Sequence, residues 1–308
     1  MDTRRVGALT VTAVGLGCNN FGTRLDRDGT AAVVRAALEA GVTCFDTADV
    51  YGGGRSEEWL GELLAPHRDA VVIATKFGMA TATERGGAKP DYVRRAAEAS
   101  LRRLGTDRID LYQLHRPDPR TPIADTLGAL GRLVEAGTVR EIGCSFFTAE
   151  QLREARAAAG AGARFVSVQN EYSLLHREPE QGVLAECERQ GLAFLPYYPL
   201  ASGVLSGKYG RGRPAPQDTR LATNADWRRR FLTARNLGVA DALAGYAASR
   251  GRTLLDLAFA WLLARPVVAS VIAGASSPAQ VRANVAAADW RLSAAELEAI
   301  NRLEESIA

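Results

Sequence analysis

An aspartate, a tyrosine, a lysine and a histidine, Asp46, Tyr51, Lys76 and His115, each stand at or just beyond the end of a short aliphatic run. Singly each has an ordinary explanation: a loop cap, a packed ring, a rim ion pair and a satisfied polar group. Together they form a proton-donor apparatus. A phenol with an ordinary pKa of about 10 is a poor acid at neutral pH, and a nearby ammonium lowers it by stabilising the phenolate. A carboxylate then keeps the ammonium charged and in place, while a neutral imidazole hydrogen-bonds a substrate oxygen and orients it.

Residues so far apart in sequence act together only if the runs that precede them lie side by side. Short β-branched or aliphatic runs alternate with longer amphipathic stretches along the whole chain, which is βα repetition. Strands are expected at residues 13–17, 44–46, 71–75, 109–114, 139–145, 165–170, 193–197 and 268–272. Helical patterns lie between them at 28–40, 56–64, 91–104, 121–135, 148–159 and 179–189, with Gly41, Gly105 and Gly137 where helices should stop. The α/β fold this implies is a (β/α)₈ TIM barrel, whose reactive groups sit at the carboxyl ends of its strands. Asp46 and Tyr51 then follow the second strand, Lys76 the third and His115 the fourth, at one rim.

Additions to the barrel are also legible. Residues 4–11, with a Gly7-Ala8 turn, read as a β-hairpin capping the barrel bottom. A polar segment at 207–226 after strand seven reads as a long loop over the active face, followed by helices near 237–250 and 253–265. Ser293-Ala-Ala-Glu296 has capping-box spacing and opens a C-terminal helix. No stretch has a linker's composition, so residues 1–308 are expected to form a single domain.

Eight βα units could also make a doubly wound sheet, and GLGCNNFG after the first strand superficially resembles a dinucleotide fingerprint. Its third glycine is missing, because Asn20 follows Gly15 and Gly17. The run from Gly203 to Tyr209 mimics a phosphate loop but is one residue short and has Tyr where Ser or Thr must meet the metal.

Composition excludes several classes. The 308 residues are 47% hydrophobic and 24% charged, and 38 Lys and Arg against 35 Asp and Glu give a net charge of +3. The charges are interspersed, so no nucleic-acid footprint is visible, and Arg228, Arg229 and Arg230, the only dense basic run, read as a solvated face. The N-terminus lacks a signal-peptide core and no apolar run is long enough for a membrane span, so a cytoplasmic protein is expected. Four cysteines, at 18, 44, 144 and 187, form neither a CxxC pair nor a Cys/His cluster, which argues for buried, reduced thiols and no metal site.

The segments FDTADVYGGGRSEEWLG (45–61), ATKFG (74–78), LRRLGTDRIDLYQLHRPDP (101–119), LVEAGTVREIGCS (133–145), VQNEYSLL (168–175), PYYPLASGVLSGKY (196–209) and VIAGASSPAQVRAN (271–284) together closely resemble the aldo-keto reductase superfamily, in the family's order and across nearly the whole chain. The resemblance implies reduction of an aldehyde or ketone, a small-molecule carbonyl substrate, with Asp46, Tyr51, Lys76 and His115 as the catalytic tetrad and Tyr51 as general acid. It also implies a nicotinamide cofactor. Asp46, Ser145 and Gln169 would lie near its ribose and carboxamide, Tyr197 would stack on the ring, and Pro199, Leu200, Ala201, Ser202 and Lys208 would line the pyrophosphate side. Gly274, Ser276, Gln280 and Asn284 match the adenosine end, with Arg220 a further candidate for a 2′-phosphate. The GASSPAQVRAN form is most similar to bacterial reductases and potassium-channel β subunits, which use NADPH.

One position departs from the pattern: where the family commonly has Ser-Asn after strand five, this chain has Ser145-Phe146, an apolar ring that is expected to wall the substrate pocket instead. Asn19, Phe21, Trp227 and Phe231 read as loop residues around the substrate, with core packing as the equal alternative. Two other functions fit the same residues, a nicotinamide-binding redox sensor or regulatory protein, and a sugar or polyol dehydrogenase working in the oxidative direction.

Overall fold

The structure, a computed structural model, describes residues 1–210, 212, 216, 217 and 219–305, with side chains through 303. A hairpin of β1 (Thr3–Val6) and β2 (Leu9–Thr12) precedes the parallel strands β3 (Val14–Gly17), β4 (Cys44–Asp46), β5 (Val72–Phe77), β6 (Ile109–Leu114), β7 (Val139–Ser145), β8 (Ser167–Gln169), β9 (Ala193–Phe194) and β10 (Val271–Gly274). These eight form one sheet in the order β10-β3-β4-β5-β6-β7-β8-β9. Its two edges meet, because the Ala269 and Ile272 amides donate to Phe194 O and Pro196 O, both at 3.0 Å. The sheet therefore closes into the expected barrel.

Helices α1 (Arg27–Glu39), α2 (Arg55–Leu64), α3 (Pro90–Leu104), α4 (Ile123–Glu135), α5 (Ala149–Ala159) and α6 (Val183–Gln190) follow β3 to β8 in turn. After β9 come α7 (Arg220–Thr223), α8 (Ala225–Phe231), α9 (Ala234–Ala248) and α10 (Leu254–Leu263), and after β10 come α11 (Pro278–Ala286) and α12 (Ala294–Glu305). Local chemistry sets their ends. Asp26, Thr148, Thr253 and Ser277 side chains each accept an amide of the first turn, and Gly105, at φ 59°, closes α3 in the left-handed conformation that costs glycine least. The expected box at Ser293 is present: its amide donates to Glu296 Oε2 at 2.8 Å and its hydroxyl accepts the Glu296 amide at 3.3 Å.

The pleat decides which side chains enter the barrel. Cys44, Val72, Ala74 and Leu111 pack inward with Val6, Leu9 and Val11 of the hairpin, while Phe45, Ile73, Phe77 and Tyr112 pack outward against the helices. Successive residues of a strand alternate faces. Continuing each inward series in steps of two brings Asp46, Lys76, Gln113 and then His115 to the same interior at the carboxyl rim. The hairpin plugs the opposite end, where Arg4 Nη2 donates to Leu263 O at 2.7 Å and the Ala8 amide to Glu141 Oε1 at 2.5 Å.

Several boundaries differ from the sequence reading. The last strand lies at 271–274 and not 268–272, because the largely apolar run, broken only by Ser270, does not show where pairing with β3 begins; Val268 makes an isolated bridge to Phe194. The helix expected at 179–189 is a short 3₁₀ turn, Glu178–Gln181, then α6, divided at Gly182 with φ 148°. The segment 207–226, read as a loop, holds α7 and the start of α8, capped by Thr219 and Asn224; within it 211, 213–215 and 218 lie outside the described residues. The arginine run is solvent-exposed as expected, with Arg228 donating to the Leu221 carbonyl and Arg230 paired with Glu171. Gly15 and Gly17 lie within β3, where a Cβ at Gly15 would come within 2.8 Å of Ile272 Cδ1, so this glycine serves strand packing. No helix among the described residues is long and apolar enough to cross a membrane.

Candidate active site

Lys76 and Asp46 form a buried ion pair at the barrel rim, Nζ to Oδ2 at 2.6 Å. Lys76 Nζ also donates to Thr47 O at 2.9 Å, and the other Asp46 oxygen accepts from Gln113 Nε2 at 3.2 Å and Gln169 Nε2 at 2.8 Å. Each charge thus has partners beyond the pair itself, as burial requires. Tyr51 lies in a tight turn of glycines after β4 in which Gly52, Gly53 and Gly54 all have positive φ. Its ring centroid is 5.2 Å from Lys76 Nζ and 6.0 Å from the His115 ring, which it meets edge-on. The four residues singled out from sequence are therefore brought together.

The electrostatics correct one expectation. Burial pushes the Tyr51 phenol above its ordinary value, and the Lys76 ammonium opposes the shift without reversing it. Desolvation of a phenolate outweighs one nearby cation here, so Tyr51 stays loaded with its proton. For Lys76, burial favours the neutral amine, but the Asp46 carboxylate and then Tyr51 outweigh it and hold the ammonium above its ordinary value. His115 is lowered to about 3 by burial and then by the charges of Lys76 and Arg116, and its Nδ1 has no partner among the described residues. A neutral imidazole at working pH follows. Ring NMR of His115, assigned among three histidines by a His115→Asn variant, should show no protonation between roughly pH 5 and 8. A midpoint near the ordinary imidazole value would remove the neutral hydrogen-bonding role.

Asp46, Tyr51 and His115 open onto a cavity of about 840 Å³. Ser145, Gln169, Tyr197, Pro199, Leu200, Ser202, Lys208, Arg220, Gly274, Ser276, Gln280 and Asn284 line the same space. Lys76 lies behind them, and Ala201 is buried, turning the chain at φ 45° so that Ser202 faces the cavity. Ser145 Oγ donates to Gln169 O at 2.6 Å, and Gln280 Oε1 accepts the Ser276 amide at 2.8 Å. Of the residues expected around the substrate, Asn19, Trp227 and Phe146 line the cavity, whereas Phe21 and Phe231 are core packing.

Two features fit this cavity to a dinucleotide carrying phosphates. Arg24, Lys208 and Arg220 lie together in its wall; burial and then the charges of Arg24 and Arg220 lower Lys208, and burial first, then Arg24, lower Arg220 against the effect of Tyr198. Cations that crowd one another are relieved by an anion. The buried Ser202 hydroxyl has no partner, and Tyr198, Ala201 and Ser202 all take positive φ in the loop after β9. Non-glycine residues held in that region mark loops shaped for a ligand.

Sequence reasoning missed Gln113, whose amide holds Asp46, because glutamine within an apolar strand carries no chemical signature of its own. It also missed Asn20, which accepts from Arg220 Nη2 at 2.7 Å and donates to Ala275 O at 3.0 Å, joining the loop after β3 to α7 and to the turn after β10. The inward parity of Gln113 was a usable signal. The Asn20 contact, 200 residues along the chain, was not. Behind the site, Asp49 is buried and pushed up to about 7, by burial and then by the charge of Glu57, which Thr75 and Arg103 hold at 2.5 and 2.6 Å.

The protein is 35% identical over 278 residues to the aldo-keto reductase yakc [NADP(+)] of Schizosaccharomyces pombe, covering 86% of this chain and 80% of that one. It is 33% identical over 301 residues to the probable aldo-keto reductase 1 of Glycine max, covering 94% and 84%. A glycerol dehydrogenase from Gluconobacter oxydans shares the fold with a TM-score of 0.87 at 28% identity, over 100% of this chain and 96% of that one. With the Aldo/keto reductase family model matching residues 13–305, the chain belongs to the aldo/keto reductase family.

Proposed function

We propose that this chain, one barrel domain over residues 1–308, is an NADPH-dependent reductase of aldehydes and ketones in which Tyr51 delivers the proton. The buried Lys76–Asp46 pair at 2.6 Å, set beside Tyr51 and His115 at the mouth of one large cavity, carries the reading. Asp46, Ser145 and Gln169 would hold the ribose and carboxamide of the nicotinamide half, with Tyr197 as its stacking face. Pro199, Leu200, Ala201, Ser202 and Lys208 would take the pyrophosphate, and Gly274, Ser276, Gln280 and Asn284 the adenosine end, with Arg220 on its phosphate. When bound, the reduced nicotinamide supplies hydride to the carbonyl carbon. His115 orients the carbonyl oxygen as a neutral partner, and Tyr51 Oη transfers its proton to that oxygen. The ammonium of Lys76 stabilises the phenolate left behind, and Asp46 keeps that ammonium charged and aimed. Four free, buried thiols fit a reducing, cytoplasmic setting.

The reading of NADPH rather than NADH is supported by the three crowded cations and by the lack of a carboxylate on the Ser276–Gln280 turn that could hold a bare 2′-hydroxyl. The expected preference is about tenfold to a hundredfold, the worth of one charge-assisted hydrogen bond. Titrating both cofactors by quenching of intrinsic fluorescence tests it, with Ser276→Ala and Gln280→Ala weakening NADPH more than NADH. Equal wild-type affinities would overturn the assignment. The likeness to a glycerol dehydrogenase supports a second reading, oxidation of a polyol with NADP, because the same residues serve both directions. Comparing kcat/KM for aldehydes with NADPH against polyols with NADP decides between them.

A further inference from the structure

Arg116 follows His115 and lines the cavity, with its guanidinium 4.2 Å from the centre of the Phe146 ring. Phe146 lies in turn 5.3 Å from Tyr197, so a cation, a ring and the expected cofactor platform form one wall. The chain holds this arrangement at a cost. Phe146 takes φ 62°, a conformation that a bulky residue adopts only under constraint from its surroundings, and it is 37% exposed, an exposure that among the large hydrophobics of the described residues only Met1 shares.

The other pocket arginines differ. Arg230 is paired with Glu171, and Arg24 and Arg220 belong to the crowded set with Lys208. Arg116 has neither an ion pair nor a hydrogen bond among the described residues, and its charge reaches both His115 and Tyr197. A guanidinium whose face rests on an aromatic ring keeps its in-plane N–H edge free for a carboxylate. Topology separates this cation from the phosphate set. Arg116 follows β6, which stands four strands from β10 in either direction round the closed barrel, while Lys208 and Arg220 follow β9, and Ser276 and Gln280 follow β10.

We propose that Arg116, aligned by Phe146, is a specificity-determining residue that selects carbonyl substrates bearing a carboxylate. This rests on the reductase reading and names the substrate class for it. The carbonyl lies at Tyr51 and His115 while the carboxylate lies on the edge of Arg116.

The test compares kcat/KM for 3- and 4-carboxybenzaldehyde with their neutral methyl esters, which match them closely in size and whose stronger electron withdrawal favours the ester, working against the expected ratio. For the better isomer the wild-type ratio of acid to ester should be about tenfold to a hundredfold, the value of one charge-assisted contact, expressed mainly in KM and shrinking as salt is added. Arg116→Gln should bring the ratio close to one. Arg116→Lys should retain part of it, and Phe146→Leu, which frees the guanidinium from its support, should lower it. Because each variant is read as a ratio on one protein preparation, a general loss of activity does not mimic the effect. Turnover of the esters with a wild-type ratio at or below one overturns the anion site alone, as does a ratio unchanged in Arg116→Gln. Turnover of none of these aldehydes sinks the reductase reading together with the inference.

Discussion

Replacing Tyr51 with phenylalanine is expected to lower kcat for aldehyde reduction by about 10² to 10⁴ while leaving NADPH affinity nearly unchanged. The ring stays, so its edge-on contact with His115 and its position over Lys76 Nζ are retained. Only the transferable proton is lost. Burial raises the phenol in the wild type, so this acid is fully protonated at neutral pH and the whole enzyme population depends on it. The measurement is steady-state kcat alongside cofactor titration by fluorescence. A variant retaining more than half of the wild-type kcat would show that the proton comes from elsewhere, and a parallel collapse of NADPH binding would point to a structural role.

Lys76→Met should depress kcat by a comparable factor and should also destabilise the fold. Methionine fills much of the same volume but leaves the Asp46 carboxylate buried without its cation, and removing one partner of a buried pair costs about 3–5 kcal/mol. The Gln113 and Gln169 amides still donate to Asp46, which places the cost toward the lower end of that range. Calorimetry should therefore give a lower Tm. The specific signature lies in the pH profile. Lys76 holds the Tyr51 pKa down against burial, so removing it raises that pKa further. The fall in kcat that marks loss of the acid's proton then moves to higher pH, even as the maximum rate drops. Asp46→Asn leaves Lys76 the Thr47 carbonyl as a partner but removes the main charge that holds the ammonium against burial, so its effect on kcat should be milder than that of Lys76→Met only as far as Lys76 stays charged. Normal turnover and an unmoved alkaline limb in Lys76→Met would reduce the cluster to a structural ion pair.

How much was legible follows from what each signal depends on. The eight strands, the hairpin and the helix starts at Thr148, Thr253 and Ser293 are local features, because hydrophobic period and capping chemistry act within a few residues. Asp46, Lys76 and His115 could be placed at one rim because a parallel barrel aligns strand ends whatever the loops do. Boundaries were weaker wherever composition was largely apolar, as in the run leading to β10, or where charge hid a helix, as in α7 and α8.

By itself, then, the sequence determined the βα order, the inward parity that carries four polar groups to one mouth, and the residue types able to move a proton. Tertiary structure decided what depends on the distance between strands and on exclusion of water. Only the closed barrel sets Gln113 and Gln169 on Asp46, and only burial reverses the expected direction of the Tyr51 shift and empties His115 of charge. Hydrophobic period and capping repeat along the chain and can be read from it. Desolvation and contact between loops 200 residues apart, as at Arg220 and Asn20, arise from packing in three dimensions and leave no trace in spacing.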